Sequence, residues 1–127
     1  MSKNLMDDFT QVEAIELDIP GRKGFKYIPS TAGQENDWLK LYWKTDPITK
    51  LGYNDHGVLN KCKMQNLVEV PYGIEEIKQL INVEKEWKNL NKDQRWNVLK
   101  RMKPKLFNLI IEGIEKIDNP KDDELKN

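Results

Sequence analysis

From Glu86 to Asp118 the chain reads EWKNLNKDQRWNVLKRMK and then PKLFNLIIEGIEKID, two helical patterns separated by Pro104. The second pattern constrains the fold most. Phe107, Ile110, Ile111, Ile114 and Ile117 recur at spacings of three and four, which places all five on one face of a helix. Asn108, Glu112, Glu115 and Lys116 fall on the opposite face. Such a helix is not stable alone in water and needs an apolar surface to cover it. The upstream chain is therefore expected to supply that surface.

The chain has 127 residues, which suits a single domain. That length buries roughly two-thirds of the unfolded surface, enough for a core without covalent staples. Charged residues make up 33%, but Lys+Arg and Asp+Glu are equal at 21 each. A dedicated nucleic-acid binder usually carries a positive excess, so zero net charge argues against that class. The single cysteine, Cys62, excludes an internal disulfide. No run approaches the roughly 20 apolar residues of a membrane span, and MSKNLMDDF lacks a signal-peptide apolar run. A cytoplasmic protein that does not enter membranes is expected.

Residues 1–10 are polar and expected to be flexible, with Phe9 as an anchor. Ile15, Leu17 and Ile19 alternate with Glu16 and Asp18, the period of a half-buried strand. A turn, Pro20-Gly21-Arg22-Lys23-Gly24, leads to a second short strand over residues 25–28. Residues 11–29 are thus expected to form an antiparallel hairpin, packed on the helices or on a partner. The helical body should cover residues 31–118. Thr31 and Gln34 have capping-box spacing at the start of a helix over residues 32–44. Residues 46–54 read as a loop, and a helix over 55–67 starts at Asn54 or Asp55. Val68, Val70 and Pro71-Tyr72-Gly73 close that unit. A third helix begins near Ile74, and Asn91 with Gln94 marks a fourth. Proline at the first position opens the last helix at Pro104. Residues 119–127 are charged and expected to be a disordered tail. The fold class is α+β, mainly α: a short N-terminal antiparallel hairpin on a bundle of about four to five helices, residues 11–118 forming one domain.

Little in the chain supports catalysis. His56 and Cys62 lie six residues apart, which on one helix separates them by about 240°. They would not meet as base and nucleophile. One Cys and one His, even with Asp55, fall short of a zinc ligand set. Glu75-Glu76 and Asp122-Asp123 are sequence neighbours, whose side chains diverge on a helix. Gly21-Arg22-Lys23-Gly24 lacks the Lys-Ser/Thr ending of a nucleotide loop. No catalytic residue, cofactor or metal is expected. Arg22, Lys23 and Lys26 with Phe25 and Tyr27 would let the hairpin hold phosphate and stack bases. Lys100, Arg101, Lys103 and Lys105 form a second basic run. The acidic neighbours Glu13, Glu16 and Asp18 weigh against that reading.

The segment Trp38-Leu39-Leu41-Tyr42-Trp43 spreads apolar side chains over more than half a helix circumference. A narrow core stripe does not need that breadth. Trp and Tyr bury large areas around a polar tip and are enriched at protein contacts. Trp38, Tyr42 and Trp43 are therefore the expected partner contacts, with Trp87 and Trp96 internal.

A small hairpin followed by a helical body, with the phrases CKMQNLVEVPYGIEEIKQLI and EWKNLNKDQRWNVLKRMKPKLFNLIIEGIEKI, resembles the tail assembly chaperones of long-tailed phages, prophages and related archaeal viruses. Asn66-Leu67-Val68-Glu69-Val70-Pro71 and Trp87-Lys88-Asn89-Leu90 carry most of the resemblance, which covers residues 12–118. It implies a non-enzymatic chaperone without cofactors. Such a protein binds and solubilises the helical tape-measure protein, helps recruit tail-tube subunits, and leaves before the virion is finished. It also implies a short form whose tail is the junction for a frameshifted extension. The family transfers no invariant site residue. Self-association stays open. The alternatives are a structural head–tail adaptor of a tailed virus and a small nucleic-acid-binding regulator using the basic hairpin.

Overall fold

A computed structural model describes residues 8–10 and 12–119. The expected flexible N-terminus lies outside the described residues except for 8–10, and the expected tail beyond Asn119 also lies outside them. Phe9, read above as an anchor, is exposed.

The alternation at Ile15–Ile19 folds into the hairpin. Strand β1 (Ile15–Glu16) pairs antiparallel with β2 (Lys26–Tyr27), Ile15 opposite Tyr27 and Glu16 opposite Lys26. The Leu17 amide donates to the Phe25 carbonyl at 2.8 Å, and Ile19 bridges to Arg22. Period two then buries Leu17 and Ile19 from one arm and Phe25 and Tyr27 from the other. Gly24 is required twice over. Its φ is +94°, and a Cβ there would lie 2.9 Å from Pro71 Cβ.

Helix α1 (Ala32–Tyr42) starts with the anticipated capping box: Gln34 N–H donates to Thr31 Oγ1, and Thr31 N–H to Gln34 Oε1, both at 3.2 Å. The helix stops at Tyr42, two residues before the expected end. Trp43–Thr45 is instead strand β3, paired antiparallel with β4 (Gly52–Asn54). Residues 46–54, expected to be loop throughout, thus include one arm of a second hairpin. Helix α2 (His56–Met64) is capped by Asp55, whose carboxylate accepts from Val58 N–H at 3.2 Å. It is shorter than the expected 55–67, because Leu67–Glu69 forms strand β5 on the free edge of β2. The three-stranded sheet has the order β1-β2-β5, so Tyr27 sits on its central strand and is fully buried. Three residues are too short a run to display alternation, which hid β5 in the sequence.

Helix α3 (Ile74–Ile81) ends at Asn82 in the left-handed region, and a single 3-10 turn covers Trp87–Asn89. Helix α4 (Lys92–Leu99) carries the second capping box, Asn91 with Gln94 at 2.8 and 3.0 Å. Helix α5 (Pro104–Asp118) has proline in its first turn. The architecture is α+β, mainly α, with five α-helices among the described residues.

Ile110 and Ile114 of α5 are fully buried, and Phe107, Ile111 and Ile117 pack against the same core. A Cβ on Gly113 would meet Leu17 Cβ at 3.4 Å, so α5 lies closely on the N-terminal hairpin. Fully burying each isoleucine is worth about 1.5–3 kcal/mol. Trp87 is buried and its indole N–H donates to the Leu67 carbonyl at 3.1 Å, tying the 3-10 turn to β5.

A polar cluster joins the C-terminal end of α5 to the sheet and to the start of α1. Tyr27 Oη donates to Asp118 at 2.5 Å, and Ser30 N–H donates to the same carboxylate at 3.2 Å. Ser30 Oγ donates to Glu35 at 2.9 Å. Lys63 is buried, hydrogen-bonds Glu115, and lies 4.0 Å from Asp118. Burial and the adjacent Asp118 push the Tyr27 phenol far above its ordinary value, so it stays a donor. Asn66 adds a neighbouring clamp. Its amide donates to Ile28 O and to Gln34 Oε1 at 3.0 Å each and accepts from Gln34 Nε2 at 3.1 Å.

Candidate interaction surface

Helix α1 turns one face towards α2 and leaves its C-terminal end rich in exposed apolar side chains. Trp38 is 5% exposed, and Tyr42, four residues on, is half-buried on the same face. Trp43 is 50% exposed, because there the backbone leaves the helix for extended geometry, φ −79° and ψ 120°. The three residues expected to act together as partner contacts therefore occupy three environments. Trp38 belongs to the interior and presents no surface to a partner. Tyr42 offers part of its side chain, and Trp43 offers a large one.

The second hairpin explains how Trp43 is held. Trp43 pairs with Asn54, Lys44 with Tyr53, and Thr45 with Gly52. The Trp43 indole lies directly over Gly52: a Cβ on that glycine would fall 2.1 Å from Trp43 Cζ2. A glycine without a side chain is covered by a diagonal aromatic ring. The turn is ordered by Asp46, whose carboxylate accepts from Ile48 N–H at 2.8 Å and Thr49 N–H at 2.9 Å. Those two backbone donors hold the Asp46 carboxyl below its usual range. Lys50 adopts the left-handed region with φ +64°. The Asp55 amide donates to Tyr42 O at 2.7 Å and closes the base.

This ordered hairpin displays apolar groups. Ile48 is 89% and Leu51 70% exposed, with Tyr53, Trp43, Leu41 and Leu39 also exposed. Among the described residues these are six of the nine exposed large apolar side chains, all within fifteen positions. Scattered exposed apolar residues need no explanation, whereas a concentration of this kind makes these residues the candidate for a contact surface. Leu39, Lys40 and Trp43 border a shallow depression on one side of α1. Ile48, Leu51 and Tyr53 went unnoticed in the sequence because a loop has no periodicity to contrast with. The short motif Trp-Lys-Thr and Gly-Tyr-Asn flanking Asp-Pro was the available signal.

On the other side of α1 a cleft opens between α1, α2 and α4. It encloses about 380 Å³ and is mainly apolar, with Leu41, Val58, Cys62, Met64, Trp96 and Leu99 in its walls. Trp96, expected to be internal, is half-buried here and packs edge-on against Phe107 at 6.1 Å. Cys62 is buried, and desolvation raises its thiol pKa although Lys61 opposes the shift, so thiolate chemistry is disfavoured. His56, at the first position of α2, is exposed and six positions from Cys62 on the same helix.

The other candidate groups stay separate. Gly21-Arg22-Lys23-Gly24 joins β1 and β2 as a hairpin turn, and Gly24 N–H donates to Glu16 at 2.9 Å. Phe25 and Tyr27 are fully buried, which removes the rings that base stacking would have used. Lys26 pairs with Glu69 at 3.7 Å. Glu75 and Glu76 are exposed in the first turn of α3, and Asp122-Asp123 lies outside the described residues. Among the described residues no group of three or more His, Cys, Asp or Glu is placed to hold a metal ion. No helix among them is long and apolar enough to cross a membrane. No known family model matches this chain, and neither the characterised proteins nor the solved structures compared with it give a match.

Proposed function

We propose that this chain is a non-enzymatic assembly chaperone that binds and solubilises a long helical polypeptide, in the manner of the tail assembly chaperones it resembles. On this reading its client is a tape-measure protein in the host cytoplasm. It helps recruit tail-tube subunits and does not remain in the mature virion. The observation that carries the proposal is the concentration of exposed apolar side chains on the ordered hairpin and the end of α1. A holdase must offer apolar surface to its client while a charged exterior keeps it soluble. Here 33% of residues are charged, and six of the nine large exposed apolar groups among the described residues fall between Leu39 and Tyr53. Asp46 and the Gly52–Trp43 contact order that region in advance, which reduces the entropy lost on binding.

The test is suppression of aggregation of a co-expressed tape-measure fragment. The parent chain should keep the fragment soluble, and the hairpin variant Ile48→Glu/Leu51→Glu should not. Both substituted side chains are exposed, so circular dichroism should show an unchanged fold. A folded variant that suppresses aggregation as well as the parent would reject the hairpin as the client surface. Recovery of the protein from purified virus particles would favour the head–tail adaptor instead.

A further inference from the structure

The cleft between α1, α2 and α4 differs from the hairpin in its charge. Around its apolar walls stand Lys44, Lys61, Lys92 and Arg95, against the single carboxylate of Asp93. The chain as a whole is neutral, so this positive rim is a local arrangement. None of the four cations forms an ion pair with a carboxylate among the described residues. Lys61 lies over the Trp96 ring at 5.7 Å. Arg95 lies over Trp87 at 5.4 Å and donates to the carbonyls of Trp87 and Lys88 at 3.2 and 3.4 Å. Those neutral partners hold Lys61 and Arg95 and bring no negative charge to them. Elsewhere basic residues do meet carboxylates, as Lys63, Lys78 and Lys116 do.

We propose that this cleft receives the apolar face of an acidic amphipathic helix. Leucine-like side chains enter between Leu41, Val58 and Trp96, and flanking carboxylates meet Lys44, Lys61 and Lys92 of the rim. The volume falls within the range of about 300–1,000 Å³ typical of sites that enclose a ligand's apolar groups. A helix laid in a groove anchors through side chains at three- and four-residue spacing. The register favours a polypeptide over a small amphiphile. Lys44 of the rim pairs with the exposed Tyr53 across the hairpin, on the same face of the two-stranded sheet. The cleft therefore continues into exposed apolar surface, which a longer occupant would cover. This inference rests on the client-binding reading and specifies the client's chemistry: helical, with acidic residues beside its apolar stripe.

The experiment is fluorescence anisotropy on the full chain with labelled synthetic peptides. One peptide carries Leu at helical spacing with Glu elsewhere, a second has Lys in place of Glu, and a third is a scrambled version of the first. The first should bind at least about tenfold tighter than the other two, and added salt should weaken it. Lys44→Glu/Lys92→Glu changes two exposed residues and should weaken it by at least about tenfold, since each attractive pair becomes a repulsive one. Equal binding of the acidic and basic peptides, or an unchanged affinity of the double variant, would overturn the proposal. Laurate bound in the cleft by the parent, with no binding of the acidic peptide, would also overturn it. The two readings fail separately. If client solubility survives Lys44→Glu/Lys92→Glu but is lost in the hairpin variant, the cleft proposal falls and the chaperone reading stands. If the acidic peptide binds the cleft but the parent suppresses no client aggregation, the chaperone reading falls.

Discussion

The contact between Trp43 and Gly52 sets two opposing effects against each other in the substitution Gly52→Ala. Alanine in a strand loses less backbone entropy than glycine on folding, which favours the variant by about 0.5–1 kcal/mol. Gly52 does not adopt positive φ, so alanine meets no backbone strain there. Against this, the new Cβ would lie 2.1, 2.7 and 2.9 Å from three atoms of the Trp43 indole. Carbon atoms pack at about 3.5–4.0 Å, so the ring must retreat by roughly 1.5 Å. Trp43 is half-exposed, so its packed half is about 100 Å², worth up to about 2.5 kcal/mol at 25 cal/mol per Å². Losing most of that contact outweighs the entropy gain, leaving the hairpin weaker by about 1–2 kcal/mol. Amide hydrogen exchange reads this locally. The Asp46 and Asp55 amides, bonded to Leu51 O and Tyr42 O, should exchange about 5–30 times faster, and the Trp43 indole N–H resonance should move. Protection equal to or above that of the parent, with an unmoved indole resonance, would refute the argument. The ring would then not rest on Gly52.

Three further outcomes follow from the same structure. Lys63→Met should destabilise the chain by about 2–3 kcal/mol in urea unfolding, because Asp118 is buried and loses a nearby cation. The figure is below the 3–5 kcal/mol of a fully buried pair because Glu115 is about half exposed and Asp118 keeps Tyr27 and Ser30 as donors. A change under about 0.5 kcal/mol would discard the cluster as a structural tie. Burial raises the Glu115 carboxyl, but hydrogen bonds from Lys63 and Asn119 and the Lys63 charge outweigh it, leaving the pKa below its ordinary 4.5. That stabilisation is present above about pH 4.5 and is lost as pH falls through the depressed folded value. Urea midpoints of the parent and Glu115→Gln should therefore converge on acidification, and a gap that widens would contradict the assignment. Trp38→Ala should cost about 3–5 kcal/mol as a buried truncation, whereas Trp43→Ala should cost much less in global stability. Equal losses measured by urea unfolding would show that the two indoles are not in the different environments described.

Much of the fold was legible because its signals are local. The stripe of Phe107, Ile110, Ile111, Ile114 and Ile117 marks α5, and the structure buries or half-buries all five. Both capping boxes form, since Thr31 with Gln34 and Asn91 with Gln94 need only their own first turn. The first hairpin follows from alternation around a turn whose Gly21 and Gly24 supply positive φ. The exposure of the candidate contacts was legible only in part. Trp43 is exposed, but Trp38, grouped with it, is buried, because residue type does not reveal which side of a broad apolar helix meets a neighbour.

The sequence by itself determined the helical body, the helix starts, the first hairpin and the absence of an internal disulfide, because each depends on neighbouring residues or on composition. Only the tertiary structure decided that Leu67–Glu69 would close the edge of β2, that Trp38 would go inside while Trp43 turned outward, and that Lys44, Lys61, Lys92 and Arg95 would ring one cleft. Those outcomes depend on contacts between segments far apart along the chain. A strand of three residues has no periodicity to announce it, and four cations drawn from a strand and two helices become one positive rim only when those elements pack together.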